Sequence, residues 1–230
     1  MVISIIALLI GLLLPALGSA REAGRASVCL GNLRQMGLIC QSYADENKGF
    51  GPAIGQPYAE LPNWALVVQS SAGRAGSTGA ELYAAGRDTV LSCPSVGGFY
   101  GRALQRTYAM NATGHAGLAR PDGATDASNF DRAVDLLPPG TPRAHVRFEL
   151  VDRPSDRCLL MDSRIDASQA AAPGAPPVTR TASVLDFRQP GHVRERLGVV
   201  HARKAFQFVA FDNSARGARD VPAWWIEPLP

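Results

Sequence analysis

The residues of this chain that could bind a metal ion or take part in catalysis are spread along it without a recognisable ligand spacing. The sequence has four cysteines and four histidines: Cys29, Cys40, Cys93, Cys158, His115, His145, His192 and His201. They form neither a Cys-x-x-Cys pair nor any spacing typical of zinc. The aspartates near one predicted strand are interpreted as solvated turns, not paired carboxylates: Asp152, Asp156, Asp162 and Asp166. The sequence predicts no metal centre and no cofactor.

Motifs of common enzyme classes are also missing from the sequence. There is no Gly-x-Ser-x-Gly elbow, no phosphate-binding Gly-Lys-Ser/Thr loop, no Gly-x-Gly-x-x-Gly after a strand, and no His-Glu-x-x-His. A serine, a histidine and an aspartate can converge from anywhere in a fold, so their presence alone indicates nothing. We therefore expect a protein that is not an enzyme.

Composition and charge limit the possible classes further. The chain has 230 residues, 46% of them hydrophobic and only 19% charged, with 23 Gly and 17 Pro. This composition is too apolar for a disordered chain and indicates an ordered protein with long loops. The net charge is +3, and all basic residues except Lys48 and Lys204 are arginines, scattered without a dense run. A nucleic-acid-binding surface would concentrate them, so no nucleic-acid partner is expected.

The first twenty residues form an apolar run without a single charge. Its Val, Ile and Leu side chains favour membrane insertion by about 0.3 to 0.6 kcal/mol each. A helix of about 20 residues also matches a hydrocarbon layer of about 30 Å. The run predicts a transmembrane helix, in which the residues expected to face lipid or assembly partners are Val2, Ile6, Ile10, Leu14 and Pro15.

Two other interpretations of this run remain open. Gly18-Ser19-Ala20 has the small-residue pattern of a signal-peptidase site, but the basic n-region is missing and the apolar core exceeds the usual length of about 7 to 15 residues. A buried core helix would show a polar face, and none appears before Arg21.

From Arg21 to Asn47 an apolar stripe runs along one helical face. It consists of Ala26, Cys29, Leu33, Met36, Cys40 and Tyr43, at alternating spacings of three and four. The two stretches predict one continuous helix of which residues 1–20 are transmembrane and 21–49 amphipathic, with a kink at Pro15. The last five residues of the stripe are predicted to pack on the rest of the protein.

Residues 50–230 are predicted to form a loop-rich β head domain. Helices are expected at Trp64–Ser70 and Gly79–Ala85, a turn at Gln189–His192 and a flexible loop at Ala167–Pro177. Strand candidates are Thr89–Cys93, Gln105–Met110, His145–Val151, Cys158–Asp162, Ser183–Phe187, Leu197–His201 and Ala205–Phe211. One long helix followed by short strands predicts an α+β fold, with an antiparallel sheet packed on the helix stripe.

Several segments resemble one known family. They are Val2–Leu17, Ala20–Ala23, Cys29–Leu38 and Tyr43–Gly49, with Cys93-Pro-Ser95, Thr107–Asn111, Arg153-Pro-Ser155 and Leu159–Asp162 further on. Together they are similar to type IV pilin-like proteins and type II secretion pseudopilins, in the branch with a prepilin-type N-terminal helix and a C-terminal His-x9-Asp-Gly signature. The resemblance is dense over residues 2–49 and sparse afterwards.

This resemblance implies a structural subunit in the inner membrane, single-pass, with a periplasmic or extracellular C-terminal domain. Its expected partners are membrane lipid, other pilin-like subunits and the secretion or pilus assembly machinery. Two other functions remain open: a membrane-tethered or secreted binding module for a carbohydrate or protein, and an exported hydrolase. The resemblance also implies that the family's leader, its processing site and the first turns of its helix lie upstream of Met1.

The C-terminal signature is altered in this chain. Ten residues separate His201 from Asp212, and Asn213 replaces the glycine. Because Asn tolerates the left-handed conformation, Asp212-Asn213 is predicted to keep a tight turn after a strand. Some pseudopilins bind calcium in a C-terminal loop, which makes Asp212, Asn213 and Ser214 weak candidate ligands, although calcium takes six to eight oxygens.

Cys29 and Cys40 cannot form a disulfide with each other, because 11 positions along a helix separate them by about 16 Å. A helix cysteine could instead join Cys93 or Cys158, or all four could remain thiols. The family resemblance favours Cys29 with Cys93, since both lie in family-like segments.

With packing rather than chemistry predicted, truncating Leu33 is expected to destabilise the domain strongly. Asp212→Ala should affect only the turn, and His201→Ala is expected to cost little more.

Overall fold

The computed structural model describes residues 2–52, 54, 64–71, 90–101, 104–113, 146–165, 178, 180–227 and 229. In these ranges a long helix α1 (Val2–Glu46) precedes three short helices, α2 (Trp64–Ser71), α3 (Pro94–Tyr100) and α4 (Pro190–Arg196). The strands are β1 (Tyr108–Asn111), β2 (Cys158–Asp162), β3 (Val184–Leu185), β4 (Phe206–Ala210) and β5 (Ala215–Ala218). Short 3-10 helices occur at Phe148–Leu150, Ala202–Lys204 and Ala223–Ile226.

The five strands form one sheet in the order β3-β1-β2-β4-β5. The pairs β1–β2, β2–β4 and β4–β5 are antiparallel, whereas β1 and β3 run parallel. The predicted α+β class, with a helix packed on a sheet, is therefore confirmed. The sheet is mixed rather than wholly antiparallel, because β3 returns to the edge beside β1 after a long connection.

The second half of α1 packs on one face of this sheet. Cys29, Leu33, Met36 and Cys40 of the predicted stripe are fully buried. Tyr43 is only half-buried, and Ala44 takes the buried position instead. Gly37 is also buried. A Cβ there would lie 2.6 Å from Asn213 Oδ1 and 3.0 Å from Val209 of β4, so a larger residue would have to displace these side chains.

The other face of the sheet is covered by the C-terminal segment. The Trp225 ring lies 4.8 Å from Phe208 and 4.9 Å from Phe187, between ring centroids. Its indole N–H donates to the carbonyl oxygen of Asp156. Because both faces are covered, all residues of β2 and β4 are buried, and their sequences are apolar except for Asp162 and Gln207.

The local predictions differ in outcome. α2 and β2 lie where they were predicted, and β1 and β4 overlap their predicted ranges. The predicted strand at His145–Val151 is wrong, since residues 148–150 form a 3-10 helix after a single bridge at Arg147. The predicted turn at Gln189–His192 is also wrong, because Pro190 opens α4 instead. The proline fits there because the first helical position needs no N–H donor.

Other segments were assigned too much or too little strand. Leu197–His201 contributes only isolated bridges at its two ends, and β5 was missed because its sequence, Ala-Arg-Gly-Ala, lacks β-branched residues. Of the range Thr89–Cys93, the described part forms a turn followed by α3, not a strand. The predicted helix at Gly79–Ala85 and the loop at Ala167–Pro177 lie outside the described residues.

Candidate functional site

The first half of α1 projects from the head without any contact that buries it. The helix continues through Pro15, and its apolar window is 0% buried. Large side chains here are half to four-fifths exposed, including Ile3 at 82% and Leu12 at 67%. By length and composition this helix is able to cross a membrane. The kink at Pro15 stays a prediction.

The side chains predicted to face lipid or partners all lie on this projecting half. They are Val2, Ile6, Ile10, Leu14 and Pro15, and each is exposed. An apolar helical surface of this size is the feature of the molecule that most clearly calls for a partner, because soluble monomers rarely expose large contiguous apolar patches.

A disulfide fixes the junction between α1 and the head. Cys29 and Cys93 are bonded, with their Cα atoms 4.9 Å apart, and 64 positions separate them in sequence. This is the pairing that the family resemblance favoured. Cys40 and Cys158 are buried free thiols. Burial raises the pKa of Cys40 to about 12 and that of Cys158 well above its ordinary value.

Polar contacts reinforce the same junction. The Ser95 hydroxyl donates to Glu22 Oε1 at 2.7 Å, and the Gln207 side-chain amide donates to the carbonyl oxygen of Ala26 at 3.1 Å. The Tyr108 hydroxyl reaches the carbonyl oxygen of Cys29 at 3.4 Å. Helix α3 and strands β1 and β4 are thereby joined to a segment of α1 only two turns long.

A buried carboxylate–imidazole pair lies beside the disulfide. Asp162 Oδ2 is 2.9 Å from His201 Nε2 and also accepts the Gln207 backbone N–H at 2.7 Å. Asp162 is fully buried and the His201 side chain is 4% exposed. Burial raises the pKa of Asp162, while the hydrogen bond and positive charge of His201 and the Gln207 N–H act in the opposite direction.

Gly198 lets this pair form. A Cβ on Gly198 would lie 2.8 Å from the Ser163 backbone nitrogen, so only glycine lets residues 198–201 pass against the end of β2. The Gly198 N–H donates to the carbonyl oxygen of Asp162 at 3.0 Å. His201 is consequently held against Asp162, and the interpretation of Asp162 as a solvated turn residue is wrong.

The sulfur atoms of Cys29 and Cys93 lie near His201 at distances typical of a metal site, but their chemistry does not fit one. One ligand atom each of Cys29, Cys93 and His201 lies within 4.8 Å of the others. The two sulfur atoms are bonded to each other, however, and a disulfide sulfur is not the thiolate that zinc binds. His201 Nε2 is also engaged by Asp162. In this oxidised form the three residues stabilise the junction instead of forming a tetrahedral site.

The C-terminal turn has the conformation predicted for it. Asn213 has a φ of 66°, and the Asn213 N–H donates to the carbonyl oxygen of Ala210 at 3.0 Å. Asp212 Oδ1 accepts the Ser214 N–H at 2.9 Å and the Ser214 hydroxyl at 2.6 Å. Desolvation alone would raise the pKa of Asp212, but the two hydrogen bonds from Ser214 and the charge of Arg216 together outweigh it and lower this pKa.

The oxygen atoms of the three candidate calcium ligands do not point toward one common position. The Ser214 hydroxyl is hydrogen-bonded to Asp212, whereas Asn213 Oδ1 is buried against Gly37 of α1. The structure therefore gives the three residues a role in the β4–β5 turn and in helix packing. No protein-family model, curated protein or solved structure matches this chain.

Proposed function

We propose that this chain is a structural, pilin-like membrane subunit. The first half of α1 anchors it in the inner membrane, the head lies outside the cytoplasm, and the same helix packs against other subunits during assembly. The observation that carries the proposal is the continuity of α1. One unbroken helix exposes its apolar first half, residues 2–20, which we call the bare half, and contributes its second half to the core of the head.

The two halves of α1 can have separate roles because the projecting half contributes no side chain to the core of the head. Every buried residue of α1 lies at or after Cys29. The disulfide and the polar contacts of Glu22 and Ala26 join helix and head rigidly. A force or displacement applied to the helix is therefore transmitted to the head through covalent and hydrogen bonds.

The covalent link also suits a location outside the cytoplasm. Structural disulfides persist in oxidising compartments and are rare where glutathione and thioredoxin keep thiols reduced. In the proposed function Asp162 and His201 stabilise the junction and carry out no turnover.

Membrane topology is the first test of the proposal. The full chain should remain in the membrane fraction after alkaline carbonate extraction, and protease added outside spheroplasts should digest its head. Leu9→Arg, in the bare half, should shift the chain to the soluble fraction, whereas Leu150→Arg, equally exposed but on the head, should not. A head digested only after cell lysis would contradict the orientation.

Assembly is tested by photo-crosslinking in cells. A benzophenone amino acid at Leu12 should give adducts between subunits, because this side chain is 67% exposed on the bare helix. The same probe at Leu150 is the control and should give few. Absence of protein adducts from Leu12 would leave a membrane anchor and refute assembly through the helix.

A further inference from the structure

Contacts along α1 show which end of the head lies next to the proposed membrane span. Ser95 contacts Glu22, Gln207 contacts Ala26 and Cys93 is bonded to Cys29. At the far end, the Phe148 N–H donates to the carbonyl oxygen of Gly49 at 2.9 Å. The end that carries α3 and residues 198–201 is therefore nearest the span, and residues 148–150 are farthest from it.

The height of this near end above the apolar run follows from helix geometry. At about 1.5 Å per residue, Glu22 and Arg25 lie about 3 and 8 Å beyond Ala20. The headgroup layer on each side of a bilayer is about 5 to 8 Å thick. Ser95, which binds Glu22, and Gly98, which lies against the Arg25 guanidinium, are thus placed at headgroup depth.

Exposed apolar side chains occur at this level. Phe99 is 66% exposed and Val199 is 40% exposed. Phe99 packs edge-on against Tyr100, with ring centroids 5.1 Å apart, and a cleft of about 240 Å³ lies between these rings and Val199. The Tyr100 ring is half-buried against the core, so Phe99 is the exposed member of the pair. A large exposed ring on a soluble surface calls for an explanation, whereas Phe is one of the side chains with which interfacial segments enter the headgroup boundary.

The same end of the head is basic. The Arg164 guanidinium lines the cleft and donates to the carbonyl oxygen of Glu195 at 3.0 Å, which places α4 beside it. The charged side chains of the described residues near this level include Arg21, Glu22, Arg25, Arg164, Arg194, Glu195 and Arg196, with Asp162 buried beside His201. Arg25 pairs with Glu22 at 3.8 Å and Arg194 with Glu195 at 2.9 Å, but arginines still outnumber the carboxylates, which favours contact with an anionic surface.

We propose that this surface, the membrane-proximal rim formed by Phe99, Arg164 and Val199, rests on the anionic headgroups of the bilayer that α1 spans. The inference depends on the membrane anchoring proposed above. It favours lipid over a second protein because the rim is attached to the span through Glu22 and Cys29 and meets the bilayer at high effective concentration. The head is then held by two membrane contacts, which limits its tilt before assembly.

Depth-dependent fluorescence quenching tests the proposal with the full chain. Phe99→Cys and Leu150→Cys, 66% and 55% exposed, form a matched pair at opposite ends of the head. A thiol-reactive fluorophore would label these positions selectively, because Cys40 and Cys158 are buried and the other cysteines are bonded. The proteins are reconstituted at one chain per nanodisc of phosphatidylglycerol and phosphatidylcholine that contains lipid spin-labelled near the headgroup.

The label at position 99 should be quenched several-fold more than the label at position 150. Replacing phosphatidylglycerol by phosphatidylcholine should reduce this difference. Equal quenching at the two positions, or no effect of lipid charge, overturns the proposal. Absence of quenching at position 99 in single-chain discs, together with disulfide crosslinks of unlabelled Phe99→Cys in discs that hold several chains, also overturns it and assigns the rim to a second copy.

A third label separates failure of this inference from failure of the anchoring. Leu9→Cys lies in the bare half of α1 and should be quenched by lipid spin-labelled deep in the acyl chain. If position 9 is quenched and position 99 is not, the chain is anchored and only the rim contact is refuted. If position 9 is not quenched, both proposals are refuted.

Discussion

Asp162→Ala is the substitution that most directly tests the buried pair. The change removes the acceptor of both His201 Nε2 and the Gln207 N–H, at 2.9 and 2.7 Å. Removing one partner of a buried pair typically destabilises a protein by about 3 to 5 kcal/mol. Because burial also raises the pKa of Asp162, its removal relieves some desolvation, so we expect the lower end, about 3 kcal/mol.

This loss predicts a large shift in thermal unfolding. For a domain of about 150 to 250 residues, each kcal/mol corresponds to about 2 to 4 °C, so Tm should fall by about 6 to 12 °C. Tryptophan fluorescence of the detergent-solubilised full chain is the assay. It reports on the head alone, because the chain's tryptophans, including buried Trp64 and Trp225, lie there.

Asp156→Ala is the matched control. Like Asp162, Asp156 has a basic partner: its carboxylate lies 3.2 Å from Arg216. Both of these side chains, however, are about half exposed. Exposed ion pairs contribute about 0 to 1 kcal/mol, so Tm should change by no more than about 4 °C. Asp162→Asn, which keeps shape and one acceptor oxygen, should fall between the two. Equal shifts for Asp162→Ala and Asp156→Ala would refute the reasoning.

Three further outcomes follow from the described contacts. Leu33→Ala should lower the free energy of unfolding by about 2 to 5 kcal/mol in denaturant titration. Leu38 lies 54% exposed on the same helix, so Leu38→Ala should change this free energy by under about 0.5 kcal/mol, and equal effects would contradict the packing. Cys40 and Cys158 should resist iodoacetamide at pH 8 until the protein is unfolded, as mass spectrometry would show, because raised pKa values leave almost no thiolate; rapid alkylation of the native protein would contradict their burial. The pKa of Asp212 is lowered, so the stability that wild type has over Asp212→Asn should be present above the ordinary pKa of aspartate and disappear as pH falls through the lowered value; a difference that persists at lower pH would have another cause.

The expected importance of His201 changes once its surroundings are known. From the sequence, His201→Ala was predicted to cost little more than Asp212→Ala. The imidazole is instead buried against Asp162, and Nδ1 lies 3.9 Å from Glu22 Oε1. Its removal would leave a buried carboxyl group without its hydrogen-bond partner, so we now expect a loss closer to that of Asp162→Ala.

The local sequence pattern was sufficient to predict secondary structure where the surroundings of a segment are the same along its whole length. The apolar run and the stripe through Leu33 and Met36 predicted α1 because a 3.6-residue period identifies a helix without knowledge of its partner. The run Cys158–Asp162 predicted β2 to the residue, since a strand covered on both faces is mostly apolar and here only its last residue is charged. Asp212-Asn213 predicted its turn because the left-handed conformation is a property of the residue itself.

Errors arose where a neighbour in space decided the conformation. Residues 148–150 contain Phe and Leu in a strand-like pattern, but Phe148 packs against Phe211, with ring centroids 5.0 Å apart, and the backbone turns there. Strand β5 has a weak sequence and forms because the turn at Asn213 returns it alongside β4. In both places long-range packing outweighs local preference.

By itself, the sequence determined the long helix, its apolar and amphipathic halves and the α+β class, because each is encoded by the periodicity of neighbouring residues. Only the tertiary structure decided that Asp162 and His201 form a buried pair next to the Cys29–Cys93 disulfide. Those residues come from four separate segments, and sheet register together with the close passage at Gly198 sets their distances. No local pattern records such a distance, since it depends on how distant segments pack against one another.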